Sequence, residues 1–175
     1  NELKNLAKFD SEKSKLELSE VDLSGVITNA IYNNQGCALE KNINITSDIE
    51  GISMYLDKEK ITQVVVNLLS NAIRYTNKDG NINIRAYREN NNIKVHFKDD
   101  GIGIPKEKLN YIFERFYRVD ESRSKGTGGI GVGLTIVKSI VDLHRGSIYV
   151  DSVEGKGSEF VVILPTINDK IFKDN

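Results

Sequence analysis

Ile61, Val64, Val65, Leu68, Leu69, Ala72 and Ile73 recur at steps of three and four, so the segment after Asp57 reads as an amphipathic helix with a broad apolar stripe. Asp57 is a suitable cap for its start. A stripe this wide has to be covered by a second layer, and alternating runs supply one. Ile82, Ile84 and Ala86, then Ile93, Val95 and Phe97, read as two strands joined at residues 90–92 as a hairpin. Ile148 and Val150, then Phe160, Val162 and Leu164, flank the turn Glu154-Gly155-Lys156-Gly157 as two later strands. Ile43 and Ile45 suggest another strand, and Met54 and Leu56 a short one. An extended link through Leu16, Leu18, Val21 and Leu23 leads to Ser24, read as the cap of a helix carrying Val26, Ile27, Ala30, Ile31 and Leu39. Leu134, Ile136, Val137, Ile140, Val141 and Leu143 mark a further helix. The expected fold is α+β: a two-layer sandwich with about three helices on one face of a mixed, antiparallel-rich sheet of about five strands.

One core of this kind suits 175 residues. The charge balance of 24 basic and 25 acidic residues leaves no electrostatic footprint for nucleic acid, so no nucleic-acid partner is expected. No apolar run approaches the roughly 20 residues that cross a bilayer, so no direct membrane contact by this chain is expected either. The lone Cys37, in a helical stretch, reads as a packing residue, and the cysteine usage fits a reducing, cytoplasmic compartment. Residues 1–15, with Leu3, Leu6 and Phe9 as a thin apolar line, read as the tail of an upstream helix or linker. Residues 16–166 form the expected domain, and 167–175 a charged tail.

Five of the eight residues from Gly126 to Gly133 are glycine, and a helix pattern follows at once, so backbone amides lead into a helix N-terminus that favours an anion such as phosphate. Gly126, Gly128 and Gly131 also satisfy the dinucleotide fingerprint, but that motif has to follow a buried strand, and residues 120–125 are charged and polar. A Walker loop would need a lysine that is absent, and the eukaryotic-type kinase loop would need valine where Gly133 stands.

Asn67, Asn71 and Arg74 lie at i, i+4 and i+7 on the strong helix, a narrow polar line beside its apolar stripe. A solvated face would favour Lys, Glu or Gln, because asparagine is a poorer helix former. An ordinary surface face and a functional line both remain open for these three residues. In the functional reading, the amide oxygen of Asn71 is a hard, neutral ligand suited to Mg²⁺, which shares its remaining sites with water and phosphates. Residues 99–105, D-D-G-I-G-I-P, read equally as an ordinary turn or as part of a binding site. An ionised Asp99 accepts hydrogen bonds and donates none, which suits the exocyclic amine of adenine. Facing a guanine carbonyl instead would cost about 1–3 kcal/mol.

Five segments then occur in order: N-L-L-S-N-A-I-R-Y-T (67–76), D-D-G-I-G-I (99–104), F-E-R-F-Y-R (113–118), G-G-I-G-V-G-L (128–134) and G-K-G-S-E-F (155–160). Over roughly residues 16–165 the chain closely resembles the catalytic ATP-binding domains of bacterial two-component sensor histidine kinases, of the GHKL superfamily. The resemblance implies the GHKL (Bergerat) fold, with ATP and Mg²⁺ as cofactors. It makes Asn71 the metal ligand, lined by Asn67, with Arg74 where the family usually has a phosphate-contacting lysine. It places Tyr75 near the base or ribose, and Asp99 on adenine with Gly101, Gly103 and Ile104 beside it. Gly129, Gly131, Gly133 and Leu134 would close over the phosphates as a lid, Arg115 and Arg118 would face the phosphates, and Ser158 would belong to the nucleotide site.

Hydrolysing relatives usually carry a glutamate four residues before the metal asparagine, whereas Asn67 stands there, and an amide is no general base for water. A histidine acceptor, with its own nitrogen lone pair, does not need that base. The resemblance therefore implies transfer of the γ-phosphoryl group to a histidine on the kinase's own dimerisation domain, within a homodimer, and onward to a response regulator. A GHKL ATPase and a nucleotide-sensing interaction module are the alternatives. His96 and His144 lack the acidic residue that follows the family's phosphoacceptor, so both are expected to be structural. The parent protein is expected to be a membrane-anchored receptor with this domain in the cytoplasm.

Overall fold

The computed structural model describes residues 16–115, 117 and 132–166. The expected upstream helix, the charged tail, Arg118, Gly129 and Gly131 lie outside these residues.

Strand β1 (Leu18–Asp22) leads into helix α1 (Leu23–Glu40). Then come β2 (Asn44–Ile49), β3 (Ser53–Asp57) and α2 (Lys58–Tyr75). The hairpin of β4 (Asn81–Glu89) and β5 (Asn92–Asp99) precedes a 3-10 turn at Lys106–Lys108. Helix α3 (Gly133–Leu143), β6 (Ser147–Val153) and β7 (Gly157–Pro165) complete the described elements.

The main sheet has the order β2-β4-β5-β7-β6. All its pairings are antiparallel except β2 with β4, which is parallel because the chain passes through β3 and α2 before returning beside β2. β1 and β3 form a separate antiparallel ribbon. The expected five-stranded mixed sheet and three helices are both present, in an α/β sandwich. One face of the sheet is apolar, with Ile82, Ile84, Ala86, Ile93, Val95, Phe97, Val162 and Leu164 all buried. The middle helix α2 lies over it, flanked by α1 and α3. Each apolar residue of the expected α2 stripe is buried, and the Asp57 carboxylate caps the helix by accepting from Lys60 N–H at 3.1 Å.

Three expectations near α1 need correction. Asp22, not Ser24, is the cap: its Oδ1 accepts from Gly25 N–H, and Leu23 already belongs to the helix. The Ser24 hydroxyl instead joins α1 to the β2–β3 turn, donating to Glu50 O and accepting from Ile52 N–H. Leu39 is 75% exposed while Ala38 is buried, because a residue nine positions after Ala30 falls about half a turn away on a 3.6-residue helix. Cys37 is exposed, so it does not pack in the core.

Both histidines have structural partners. His144 is buried, its Nδ1–H donating to Ile140 O at 2.8 Å and its Nε2 accepting from Asp57 N–H at 3.0 Å. Only the neutral ring can do both, and burial pushes its pKa down. His96 lies on the opposite face of the sheet, between Tyr87 Oη at 3.1 Å and Glu159 Oε1 at 2.9 Å.

Candidate functional site

Four pieces of chain meet beside the C-terminal half of α2. Asn67, Asn71 and Arg74 are half-buried along that helix, and Tyr75 at its end is half-exposed. The loop after β5 is bound to the helix end by Ile102 N–H, which donates to Tyr75 O at 3.1 Å. Gly101 is required at this seam, since a Cβ there would lie 2.3 Å from Tyr75 O. The β6–β7 turn closes the loop from its other side: Gly155 N–H donates to Ile102 O at 2.8 Å. α3 begins next to Asn67: a Cβ on Gly133 would stand 3.6 Å from Asn67 Oδ1.

Asp99 is only 6% exposed, at the end of β5. Its Oδ1 accepts from Gly101 N–H at 2.9 Å and from Ser158 N–H at 3.3 Å, while Oδ2 has no donor among the described residues. Burial, its largest influence, pushes this carboxyl above the ordinary carboxylate range, and the two amides only partly offset it. Asp100 is its opposite. Both its oxygens are taken by Asn81, through the side-chain and backbone N–H groups, and these bonds hold its pKa low. Of two adjacent aspartates, one fastens the loop to β4 and the other keeps an oxygen without a donor among the described residues.

Ile104 is half-buried with its N–H donating to Ser152 Oγ, and Leu134 packs against the core from the first turn of α3. Arg115 is exposed in the turn before the undescribed segment. Thr135 Oγ1 donates to Phe113 O at 3.1 Å, which ties the start of α3 to the same turn. Buried Asn67 Nδ2 has no acceptor among the described residues.

The residues present fit a cation carried by a nucleotide better than a dedicated metal site. Among the described residues no three His, Cys, Asp or Glu side chains cluster. The Asn71 amide makes no side-chain hydrogen bond among them and stands about one helical turn beyond Asn67, which lies against the start of α3. One neutral oxygen suffices for Mg²⁺ only when phosphates and water complete its shell.

Ser152 is a site residue that motif reading missed. Its hydroxyl accepts from Ile104 N–H at 2.8 Å and donates to Gly157 O at 2.9 Å, so Ser158 Oγ, also at 2.9 Å, has to be the donor to it. One side chain thus joins the Asp99 loop to the turn that supplies Ser158. The only signal for it is the register of β6 and β7, which sets Ser152 opposite Ser158. Ser152→Ala leaves Ile104 N–H and Gly157 O without this partner, with an expected loss of about 1–3 kcal/mol measurable by urea denaturation.

The family model for histidine kinase-, DNA gyrase B- and HSP90-like ATPases matches residues 56–168. The chain is 35% identical over 169 residues to the sensor histidine kinase WalK of Bacillus subtilis (strain 168), covering 94% of the chain and 28% of that relative. It therefore spans less than a third of the relative's length. Among solved structures, the catalytic domain of the histidine kinase ThkA superposes with a TM-score of 0.76 at 28% identity, covering 86% of this chain and 97% of that one. Full-length ShkA in complex with AMPPNP gives a TM-score of 0.81 at 25% identity, covering 94% of this chain and 34% of that one. ThkA in complex with the response regulator protein TrrA gives 0.75 at 26% identity, covering 94% and 47%.

Proposed function

Because this chain belongs to the family of histidine kinase-, DNA gyrase B- and HSP90-like ATPases, we propose that it binds Mg-ATP and transfers the γ-phosphoryl group to a histidine on the dimerisation domain of its own kinase. The observation that carries this reading is the half-satisfied Asp99 carboxylate, buried where the loop after β5 packs on Tyr75 at the end of the helix that carries Asn67 and Asn71. Asp99 Oδ2 accepts from the adenine amine, and Gly101 lets the loop lie flat against the helix end. The amides at the start of α3 and the charge of Arg74 face the phosphates. Asn71, together with the phosphates, would hold magnesium, which would supply neutralisation of charge on the transferred group.

The acceptor imidazole attacks the γ-phosphorus with its neutral nitrogen, the bond to the bridging oxygen breaks, and ADP leaves. Asn67 accepts no proton from water at the place where hydrolysing relatives have a glutamate, so steady hydrolysis is disfavoured. The ThkA–TrrA complex supports a response regulator as the next partner of the phosphorylated kinase. The WalK relatives support a sensor kinase as the parent protein, and we take that parent to be a membrane-anchored receptor with this domain on its cytoplasmic side. No helix among the described residues is long and apolar enough to cross a membrane.

The deciding test is the intact kinase with Mg-ATP. Acid-labile, base-stable phosphohistidine is expected, and its absence would sink the transfer reading. At the metal, Asn71→Ala is expected to weaken ATP binding about tenfold with Mg²⁺ present and to change it little in EDTA, the size of one lost polar contact. Calorimetric titration under both conditions measures this.

A further inference from the structure

The end of α2 carries Asn71, Arg74 and Tyr75, and its last carbonyls are all accounted for. Ala72 O takes Thr76 N–H and Thr76 Oγ1, and Tyr75 O takes Ile102 N–H. The remaining carbonyls converge on one side chain from outside the helix. Lys41 Nζ lies 2.8 Å from Ile73 O, 2.7 Å from Arg74 O and 3.0 Å from Thr76 O. An ammonium has three protons and no acceptor, so these carbonyls use its whole donor capacity. No carboxylate pairs with it among the described residues. Burial first, and then the nearby Arg74 guanidinium, hold the Lys41 pKa below the ordinary lysine range, as expected of an ammonium turned inward.

The backbone of Lys41 is tied to the same region. As the residue closing α1, it accepts from Asp79 N–H at 3.0 Å, and Asn42 Nδ2 donates to Asp79 Oδ1 at 2.7 Å. The turn at residues 41–42 is thereby fixed against the segment running from the end of α2 to β4. A helix C-terminus favours a cation, and this one is held in place by the fold around it.

We propose that Lys41 is a positioning residue of the nucleotide site, its ammonium clamping the last turn of α2 so that Tyr75 O holds the Asp99–Ile104 loop in register with Asn71 and Arg74. This rests on the nucleotide reading above for its consequence in binding, and on the hydrogen bonds alone for its consequence in the loop.

The test compares the wild-type chain with Lys41→Met, which keeps the stem and removes every donor, and Lys41→Arg, which keeps charge and donors. Hydrogen exchange is followed at Ile102 N–H and, as an internal reference, at the β5 amides of Ile93 and Val95, alongside Mg-ATP titration. In Lys41→Met, exchange at Ile102 is expected to accelerate at least tenfold with the β5 amides little changed, and the Kd for Mg-ATP to rise about tenfold. Lys41→Arg is expected to restore both to within about threefold of wild type. If Lys41→Met fails to fold, Lys41→Gln, which loses the charge and one proton, takes its place with the same expectations. Unchanged exchange at Ile102, a uniform rise across β5, or arginine behaving like methionine would each overturn the proposal. A wild-type chain that binds no Mg-ATP would overturn the nucleotide reading instead, while the exchange comparison still judges the clamp.

Discussion

Asp99→Asn is expected to weaken ATP binding by roughly 10–150-fold, the 1.5–3 kcal/mol of a hydrogen bond to a charged group, while leaving the fold intact. The amide is the same shape, and its Oδ1 can still accept from Gly101 and Ser158 N–H as the carboxylate does. Its Nδ2 then occupies the place of Oδ2 and points a donor at the adenine amine. The amide instead suits a carbonyl, so GTP is expected to lose less than ATP, or to gain. Stability should move the other way. The folded pKa of Asp99 is raised, so its contribution to stability is fully present below the unfolded value of 3.8 and is lost as pH rises through the folded pKa. At neutral pH the buried charge is a cost, and a neutral amide removes it. Unchanged or raised thermal stability with lost ATP binding is therefore the expected pair of results. In the wild type, ATP affinity should fall on acidification, beginning above the ordinary carboxylate range, and the Asp99→Asn profile should lack that limb. Equal ATP affinity in wild type and variant would remove Asp99 from adenine recognition.

The sandwich was legible wherever burial follows a local period. α2 and the inward faces of β4, β5 and β7 read directly, because 3.6- and 2-residue repeats survive in a single sequence. The parallel pairing of β2 with β4 was not legible, since it depends on a crossover and not on any pattern within either strand. At α1 both Asp22 and Ser24 can cap, and the choice is made by the pairing of Asp22 with Ser53 in the ribbon, which ends the strand there. The site divides in the same way. The two asparagines stand out because their residue type is unusual inside a helix, and Asp99 through the family resemblance of its loop, whereas Ser152 and Lys41 are ordinary residues for a strand and a helix end. Each acquires its role only through partners far along the chain, Ile104 for the serine and Ile73 to Thr76 for the lysine.

Gly157→Ala is expected to destabilise the domain by on the order of 3 kcal/mol and to abolish nucleotide binding, whereas Gly155→Ala two residues earlier costs about 1–2 kcal/mol and leaves binding close to wild type. Both glycines have positive φ, 102° and 76°, so both substitutions bear the conformational cost of an L side chain in that region. They differ in what surrounds them. A Cβ on Gly155 meets nothing within 4 Å, and the bond from its N–H to Ile102 O is untouched. A Cβ on Gly157 would stand 2.0 Å from Asp99 O and 2.7 Å from Asp100 Cα, both backbone atoms that cannot rotate away. The start of β7 has to retreat from the Asp99 loop, and the first contacts to fail are Ser158 N–H on Asp99 and Ser152 on Gly157 O. Gly155→Asn isolates the geometry, because asparagine tolerates positive φ and should recover most of the Gly155→Ala loss. Thermal melting and Mg-ATP titration of the three variants separate the effects: equal behaviour of Gly155→Ala and Gly157→Ala would mean that φ alone matters at this turn, and that close approach to Asp99 does not set the pocket.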